Sequence, residues 1–321
     1  MKFRSALLLS AGLMTGTSLF AQKAQEVTFG LCTDVHIPTM HDSEYRMTAF
    51  IEAMKKEKPD FIIELGDFSI PKPEYQKAYE IWNSFPGDKH HVIGNHEMDG
   101  GTSLEKALAY RKMESSYYSF DKNGFHFIVL DGNDKIDPSK KGYQQLIGAE
   151  QMAWLKNDLE KSQFPTILFS HQGLSTYQTH QETYGVENYA EVQALLQDHN
   201  RLHPERSVIA SFNGHTHVDY AENIGGIWYI STTSMAYHWL GEDYGHVRYS
   251  AEVDKNYRWI KFTAPFKEPL FTTVTISSKG TIKIAGKKTE WVGPSPFDLG
   301  FPENLKPYVH PWITKRKLKF E

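Results

Sequence analysis

Residues 27–36 read VTFGLCTDVH, an apolar, strand-like run that stops at Asp34 with His36 two residues further on. The same juxtaposition recurs downstream. DFIIEL at residues 60–65 leads into Gly66-Asp67, and a short apolar stretch at residues 90–93 leads into Gly94-Asn95-His96-Glu97. TILF at residues 166–169 leads into Ser170-His171, and the run at residues 207–212 precedes Gly214-His215-Thr216-His217. Each motif has an ordinary reading when taken alone. Asp34 could cap a helix, Gly66-Asp67 could form a turn, and a solitary His171 is usually a satisfied core or loop histidine. Two imidazoles flanking one residue after a strand rarely serve packing, and the recurrence of the pattern points to one shared site.

The segments between the motifs alternate in type. Residues 43–58 place Met47, Phe50, Ile51 and Met54 on one helical face, and Pro59 ends that helix. Tyr75, Tyr79 and Trp82 recur at helical spacing, as do Met152, Leu155 and Leu159; residues 186–202 read as a further helix. Repeated alternation of strand and helix predicts an α/β fold with crossover helices, the pattern of an open sheet. Sites in such folds assemble from loops at the carboxyl ends of strands, where all of these motifs begin. Beyond residue 240 the pattern changes, and LFTTVTISSKGTIKI at residues 270–284 predicts a hairpin turning at Ser278-Lys279-Gly280. With no linker rich in Gly, Ser or Pro, residues 22–321 read as one domain that includes these extra strands, and the basic tail at residues 315–319 reads as a solvated end.

Hydrophobic residues make up 40% and charged residues 23% of the 321, as in a folded globular chain. The formal net charge is −4, or −6 without Lys2 and Arg4, and no basic stripe is present to grip duplex nucleic acid. Residues 1–21 read as a signal peptide: Lys2 and Arg4 are followed by an apolar stretch and by Ala21 at a cleavage point. That stretch carries Ser10, Gly12, Thr15, Gly16, Thr17 and Ser18 and is short of the roughly 20 apolar residues of a membrane span. Export to the periplasm or the medium is therefore expected, with no stable span. Cys32 is the single cysteine, so no intrachain disulfide forms, and it reads as a packed residue of the first strand.

Asp34 and His36 can share one cation from a strand end. Asp67 has two oxygens and can bridge two cations. Asn95 offers a neutral oxygen, and His171, His215 and His217 offer imidazole nitrogens. Mixed carboxylate and imidazole donors suit Zn, Fe or Mn better than Ca or Mg.

Taken in order, Asp-x-His, Gly-Asp, Gly-Asn-His-Glu, a lone His after a strand and Gly-His-x-His resemble the calcineurin-like metallophosphoesterase superfamily over residues 27–217. The resemblance implies two face-to-face β-sheets flanked by helices, a four-layer α/β/β/α sandwich. It implies that Asp34, His36 and His217 hold the first of two metal ions, that Asp67 bridges, and that Asn95, His171 and His215 complete the second. It also implies that His96 is no ligand but faces the substrate as proton donor while a metal-bridging hydroxide attacks in line. Some features depart from known branches. Ile70 stands where purple acid phosphatases carry a tyrosine ligand, so no tyrosinate is expected, and the Val-Asp-Arg-Gly of Ser/Thr protein phosphatases is missing after Asp67.

The expected activity is hydrolysis of a small-molecule phosphoester, either diester or monoester. Two alternatives share the motifs: a pyrophosphatase acting on nucleotide diphosphate compounds, and a non-catalytic extracellular binding module. The oligomeric state stays open. Metal-bound histidines need carboxylate or carbonyl partners on their other nitrogen, and Glu97, Asp99 and Asp131 are candidates. Tyr237, His238 and Trp239 sit where a site loop could reach, as do Tyr177 and His180; packing explains either group equally well.

Overall fold

Successive residues of a strand point to opposite faces, and the first strand, β1 (Glu26–Cys32), uses both. Val27, Phe29 and Leu31 enter one apolar cluster, while Cys32 enters another on the opposite side. A sheet built around such a strand must be covered twice. A computed structural model of the protein describes residues 25–135, 137, 139, 142–175 and 185–321. The expected leader at residues 1–21, and Tyr177 and His180, lie outside the described residues.

The chain continues from β1 through α1 (Ser43–Glu57), β2 (Phe61–Glu64), α2 (Gln76–Asn83), β3 (Asp88–His91) and α3 (Leu104–Arg111). A second group follows: β4 (Tyr118–Lys122), β5 (Phe125–Val129), α4 (Ala149–Lys161), β6 (Thr166–Phe169), α5 (Tyr189–Leu202), β7 (Val208–Asn213), β8 (Tyr220–Ile224) and β9 (Ile227–Ser231). The remainder holds β10 (Tyr237–Trp239), α6 (Ala251–Asn256), β11 (Thr263–Pro265), β12 (Thr272–Ser277), β13 (Thr281–Ile284), β14 (Lys287–Lys288), β15 (Trp312–Ile313) and β16 (Arg316–Lys319).

Among the described residues two six-stranded sheets form, in the orders β16-β13-β12-β1-β2-β3 and β4-β5-β6-β7-β9-β8. The strands that carry the motifs run parallel within each sheet: β1, β2 and β3 in the first, β6 and β7 in the second. Alternation of strand and helix alone suggests a single open sheet. The chain instead opens a second sheet at the antiparallel pair β4–β5, because both sheets have apolar inner faces that need each other. Phe29, Phe61 and Val274 of the first sheet share one buried cluster with Phe127, Phe169 and Phe212 of the second. The outer face of the first sheet is covered by α1 and α2 through Phe50, Met54 and Trp82, that of the second by α4 and α5 through Leu155 and Leu196. The result is the four-layer α/β/β/α sandwich. The hairpin β12–β13 joins it by pairing β12 with β1, and β16 pairs with β13 at the sheet edge.

At the end of the second sheet remote from the motifs, His126 bonds Asp121 through Nδ1 at 2.6 Å and Asp158 through Nε2 at 2.9 Å, tying β5 to α4. Burial opposes a charge on this imidazole, but the two carboxylates outweigh burial and raise its pKa above the ordinary 6.5. Because the folded pKa is raised, the stabilisation is fully present below the unfolded value and is lost as pH rises through the folded one. The His126→Gln variant should therefore lose more in Tm at pH 5.5 than at pH 9. Hydrogen bonds to charged groups set the low-pH loss at about 1.5–3 kcal/mol. Equal losses at both pH values would show that the imidazole acts only as a neutral group.

Candidate metal centre

The strand ends deliver the expected donors to one rim of the sandwich. Asp34 and His36 follow β1, Asp67 follows β2, and Asn95 follows β3. From the second sheet His171 follows β6, while His215 and His217 follow β7. The backbone links these loops directly: Asp34 N–H donates to Gly66 O at 3.0 Å, and His36 N–H to Asp67 O at 2.9 Å.

Three groups of donor atoms form, each with its atoms within 4.8 Å of one another: Asp34 with His36 and His217, Asp67 with His171 and His215, and His36 with Asp67 and His96. In the first, Asp34 Oδ1 lies 3.1 Å from His217 Nε2 and 3.5 Å from His36 Nε2. In the second, Asp67 Oδ2 lies 3.0 Å from His171 Nε2, and His215 Nδ1 lies 3.2 Å from that same nitrogen. Asp67 Oδ2 is also 4.0 Å from His36 Nε2, so this carboxylate borders both sets.

The donors fit cations on two observations. His36 Nε2 and His217 Nε2 face each other at 2.9 Å beside Asp34 Oδ1, with room for one hydrogen at most between two lone pairs. Asn95 Oδ1 is buried and has no hydrogen-bond partner among the described residues, which is costly for a polar atom unless a ligand takes it. His171 is turned for the same purpose: its Nδ1–H donates to the Leu65 carbonyl at 2.7 Å, which directs Nε2 toward Asp67, where a cation would displace its proton.

Local backbone geometry shows how the loops reach so close. Asp34, His36, Asp67, His215 and His217 all have positive φ, between 52° and 68°, the left-handed region that non-glycine residues avoid. Such residues cost on the order of 1–3 kcal/mol each and cluster at functional sites. Two glycines allow the approach. Gly66 has φ +96°, and a Cβ on it would lie 2.6 Å from His171 Nδ1. A Cβ on Gly94 would lie 2.2 Å from Asp67 Oδ1.

Electrostatics favour anionic carboxylates here. Burial works against both Asp charges, but His217 beside Asp34 and His171 beside Asp67 hold the two carboxyls below the usual range. Burial also opposes a charge on His171, yet Asp67 outweighs it and pushes the imidazole up to about 10. His215 moves the other way, to about 3, through burial and the adjacent His171. For His96, burial is overcome by Asp67 and Asp99, giving about 9.

His96 differs from the rest in exposure. Its side chain is 43% accessible and lines the cavity over the donors, with Nε2 3.9 Å from Asp67 Oδ2. Its Nδ1 bonds Asp99 Oδ2 at 2.7 Å, and Tyr143 braces the other Asp99 oxygen through its hydroxyl.

The candidates for orienting metal-bound histidines are placed differently from the sequence expectation. Glu97 reaches no histidine: it accepts from the backbone N–H of Gly94 (2.7 Å), Asp67 (3.1 Å) and Phe68 (2.7 Å), and from Arg111 Nη2 at 2.6 Å. It ties two site loops together, with burial raising its carboxyl against the pull of Arg111. Asp99 serves His96, and Asp131 accepts from Asn133. The partners found instead are the Leu65 carbonyl for His171 and Gln145 for His215, whose Nε2 lies 3.0 Å from the Gln145 amide nitrogen. Gln145 Oε1 is left buried without a partner, and since His215 directs Nδ1 to the centre, turning the amide over brings Oε1 to accept from His215 Nε2–H. His217 Nδ1 has no partner among the described residues.

Tyr237 stacks on the His36 ring, with centroids 4.9 Å apart, and its hydroxyl bonds Thr39. Ile70, three residues after Asp67, lines the cavity.

A family model described as calcineurin-like phosphoesterase matches residues 27–219, a span that holds every donor named above. The chain belongs to this family. Members depend on a dimetal centre, and the clusters here are able to hold metals. Purple acid phosphatase 15 of Arabidopsis thaliana is 26% identical over 217 residues; the match covers 54% of this chain but only 38% of that protein's length. A dimetal phosphatase from Danio rerio shares the fold with a TM-score of 0.59 at 14% identity, covering 92% of this chain and 99% of that one. GAP50, described as the anchor in the inner membrane complex of Plasmodium, has a TM-score of 0.54 at 15% identity, with 92% and 90% covered. No helix among the described residues is long and apolar enough to cross a membrane.

Proposed function

We propose that the protein is a dimetal-dependent hydrolase of small-molecule phosphoesters, exported after removal of residues 1–21. The observation that carries the reading is the pair of donor sets meeting at Asp67, one with His36 and one with His171 and His215, under an open cavity. Asp34, His36 and His217 would hold one cation, Asn95, His171 and His215 the other, with Asp67 shared. When bound, such a pair neutralises phosphoryl oxygens and acidifies a water. The rest falls to the chain itself. Asp34 and Asp67 supply the anionic charge that retains the cations. Leu65 and Gln145 fix the ring orientation of His171 and His215. His96 holds a proton at Nε2, with Nδ1 engaged by Asp99, and presents it to the leaving oxygen. Iron, zinc and manganese all suit the donor set.

The test is metal restoration. Chelated protein should contain less than one metal per chain and release no nitrophenol from p-nitrophenyl phosphate or its bis ester. Adding Mn²⁺ should restore turnover and about two ions per chain, as the two-metal chemistry requires. Turnover that survives complete chelation would refute the proposal.

A further inference from the structure

The cavity above the donors has two unlike walls. One carries His36, Asp67, Asn95, His96, His215 and His217. The other is formed by Trp239, Leu240, Trp259, Phe301, Leu305 and Val309. The space between them is about 800 Å³, far more than one phosphoryl group fills. The walls are continuous: Tyr237 stacks on His36, and the next residue, His238, has its ring 5.4 Å from that of Phe301. Beyond it, Trp239 and Trp259 face each other at 6.5 Å.

Three further features bear on what this wall receives. Trp239 and Trp259 are 43% and 41% exposed, large apolar rings left facing a concavity that solvent alone would not reward. Among the described residues neither Lys nor Arg lines the cavity. Arg258 lies over Trp259 at 4.5 Å and Lys261 over Phe262 at 5.0 Å, and neither is a lining residue. Finally, the apolar wall is built from residues 239–309, outside the span 27–219 that the family model matches. The donors are shared with the family, whereas this wall comes from the part of the chain that the match does not include.

We propose that the ester group of the substrate is an uncharged, extended apolar chain lying along the Trp239–Trp259–Leu305 wall while its single phosphoryl group meets the donor cluster. This rests on the phosphoesterase reading and gives it a substrate class. A second phosphate would have to lie against rings and aliphatic side chains with no Lys or Arg among the lining residues to meet it, which disfavours nucleotide diphosphates. Hydrolysis of an alkyl phosphate is balanced by one water: a P–O bond forms to it, the P–O bond to the chain breaks, and the alcohol leaves carrying one of the water's protons.

The experiment is a homologous series on the full, Mn²⁺-loaded chain. Linear alkyl phosphates from methyl to octyl share a nearly constant leaving-group basicity, so phosphate release reads contact with the chain and not intrinsic reactivity. Burial of each methylene is expected to raise kcat/KM about three- to fourfold until the wall is covered. The Trp239→Ala and Leu305→Ala variants should both flatten that slope. A series that is level or falls with length, or cleavage of ADP in preference to octyl phosphate, overturns the proposal. Should only diesters turn over, p-nitrophenyl alkyl phosphates read the same slope. If no ester is hydrolysed the phosphoesterase reading fails, and calorimetry with phosphonates still decides the substrate class. Octylphosphonate should bind at least about tenfold more tightly than methylphosphonate, with the gap narrowed in Trp239→Ala. Equal affinities would overturn it.

Discussion

Replacing Asp67 with alanine should reduce phosphoester turnover by on the order of 10³-fold or more, beyond the 10²–10³ that loss of one preorganised electrostatic group costs. Among the described residues Asp67 is the carboxylate that stands in two of the three donor groups, Asp34 in one. Its Oδ2 lies 3.0 Å from His171 Nε2 and 4.0 Å from His36 Nε2, and its Oδ1 accepts the His96 N–H at 2.8 Å. Alanine would remove a shared anion and a loop tether in one step. The imidazoles would stay in place, since Leu65 O pins His171 and His36 keeps its backbone bond to residue 67. Metal content should accordingly fall from about two ions per chain toward one or none, measurable by elemental analysis on folded protein. Near-normal turnover in the variant would end the assignment.

The second large effect is selective. His96→Ala should lower kcat by about 10²–10⁴-fold on alkyl phosphates, whose alkoxides need a proton as they depart, and much less on p-nitrophenyl esters. The geometry specifies the asymmetry: Nδ1 is occupied by Asp99 at 2.7 Å, so only Nε2 is free to face a leaving oxygen. That ring is also the most exposed of the cluster, on the cavity wall, while His171 is fully enclosed. Equal losses on good and poor leaving groups would remove the proton-donor role and leave His96 a binding or positioning residue.

Much of this arrangement was legible in the sequence, for a specific physical reason. A strand that ends in a donor advertises both its apolar run and its chemistry in consecutive letters, as VTFGLCTDVH does. Helix α1 likewise announces its end, with Lys58 in the left-handed conformation just before Pro59. What stayed hidden has no such signature. Strands β4 and β8 are half-buried edges, so YSFDK and YAENI lack a continuous apolar run. The ribbon β10–β11 has three residues a side, below the length at which alternation can be read. The partner of His171 is a backbone carbonyl, which no residue type encodes. Glu97 stands inside the motif, but its role could not be inferred there, because Arg111 comes from a helix whose weak apolar face gave no signal and the remaining donors are main-chain amides. The left-handed backbone at five donor positions is equally silent, since Asp and His do not mark it as glycine would.

The donors are also divided between the layers in a way that matters mechanically. Asp34 and His36 come from one sheet and reach His217 on the other; Asp67 comes from the first and reaches His171 and His215 on the second. Neither trio can be completed from one leaf alone. A loaded centre would thus act as a clasp on the open edge of a book, resisting any shear between its leaves, and emptying it would free that edge while the aromatic spine formed by Phe29, Phe127 and Phe169 stayed shut.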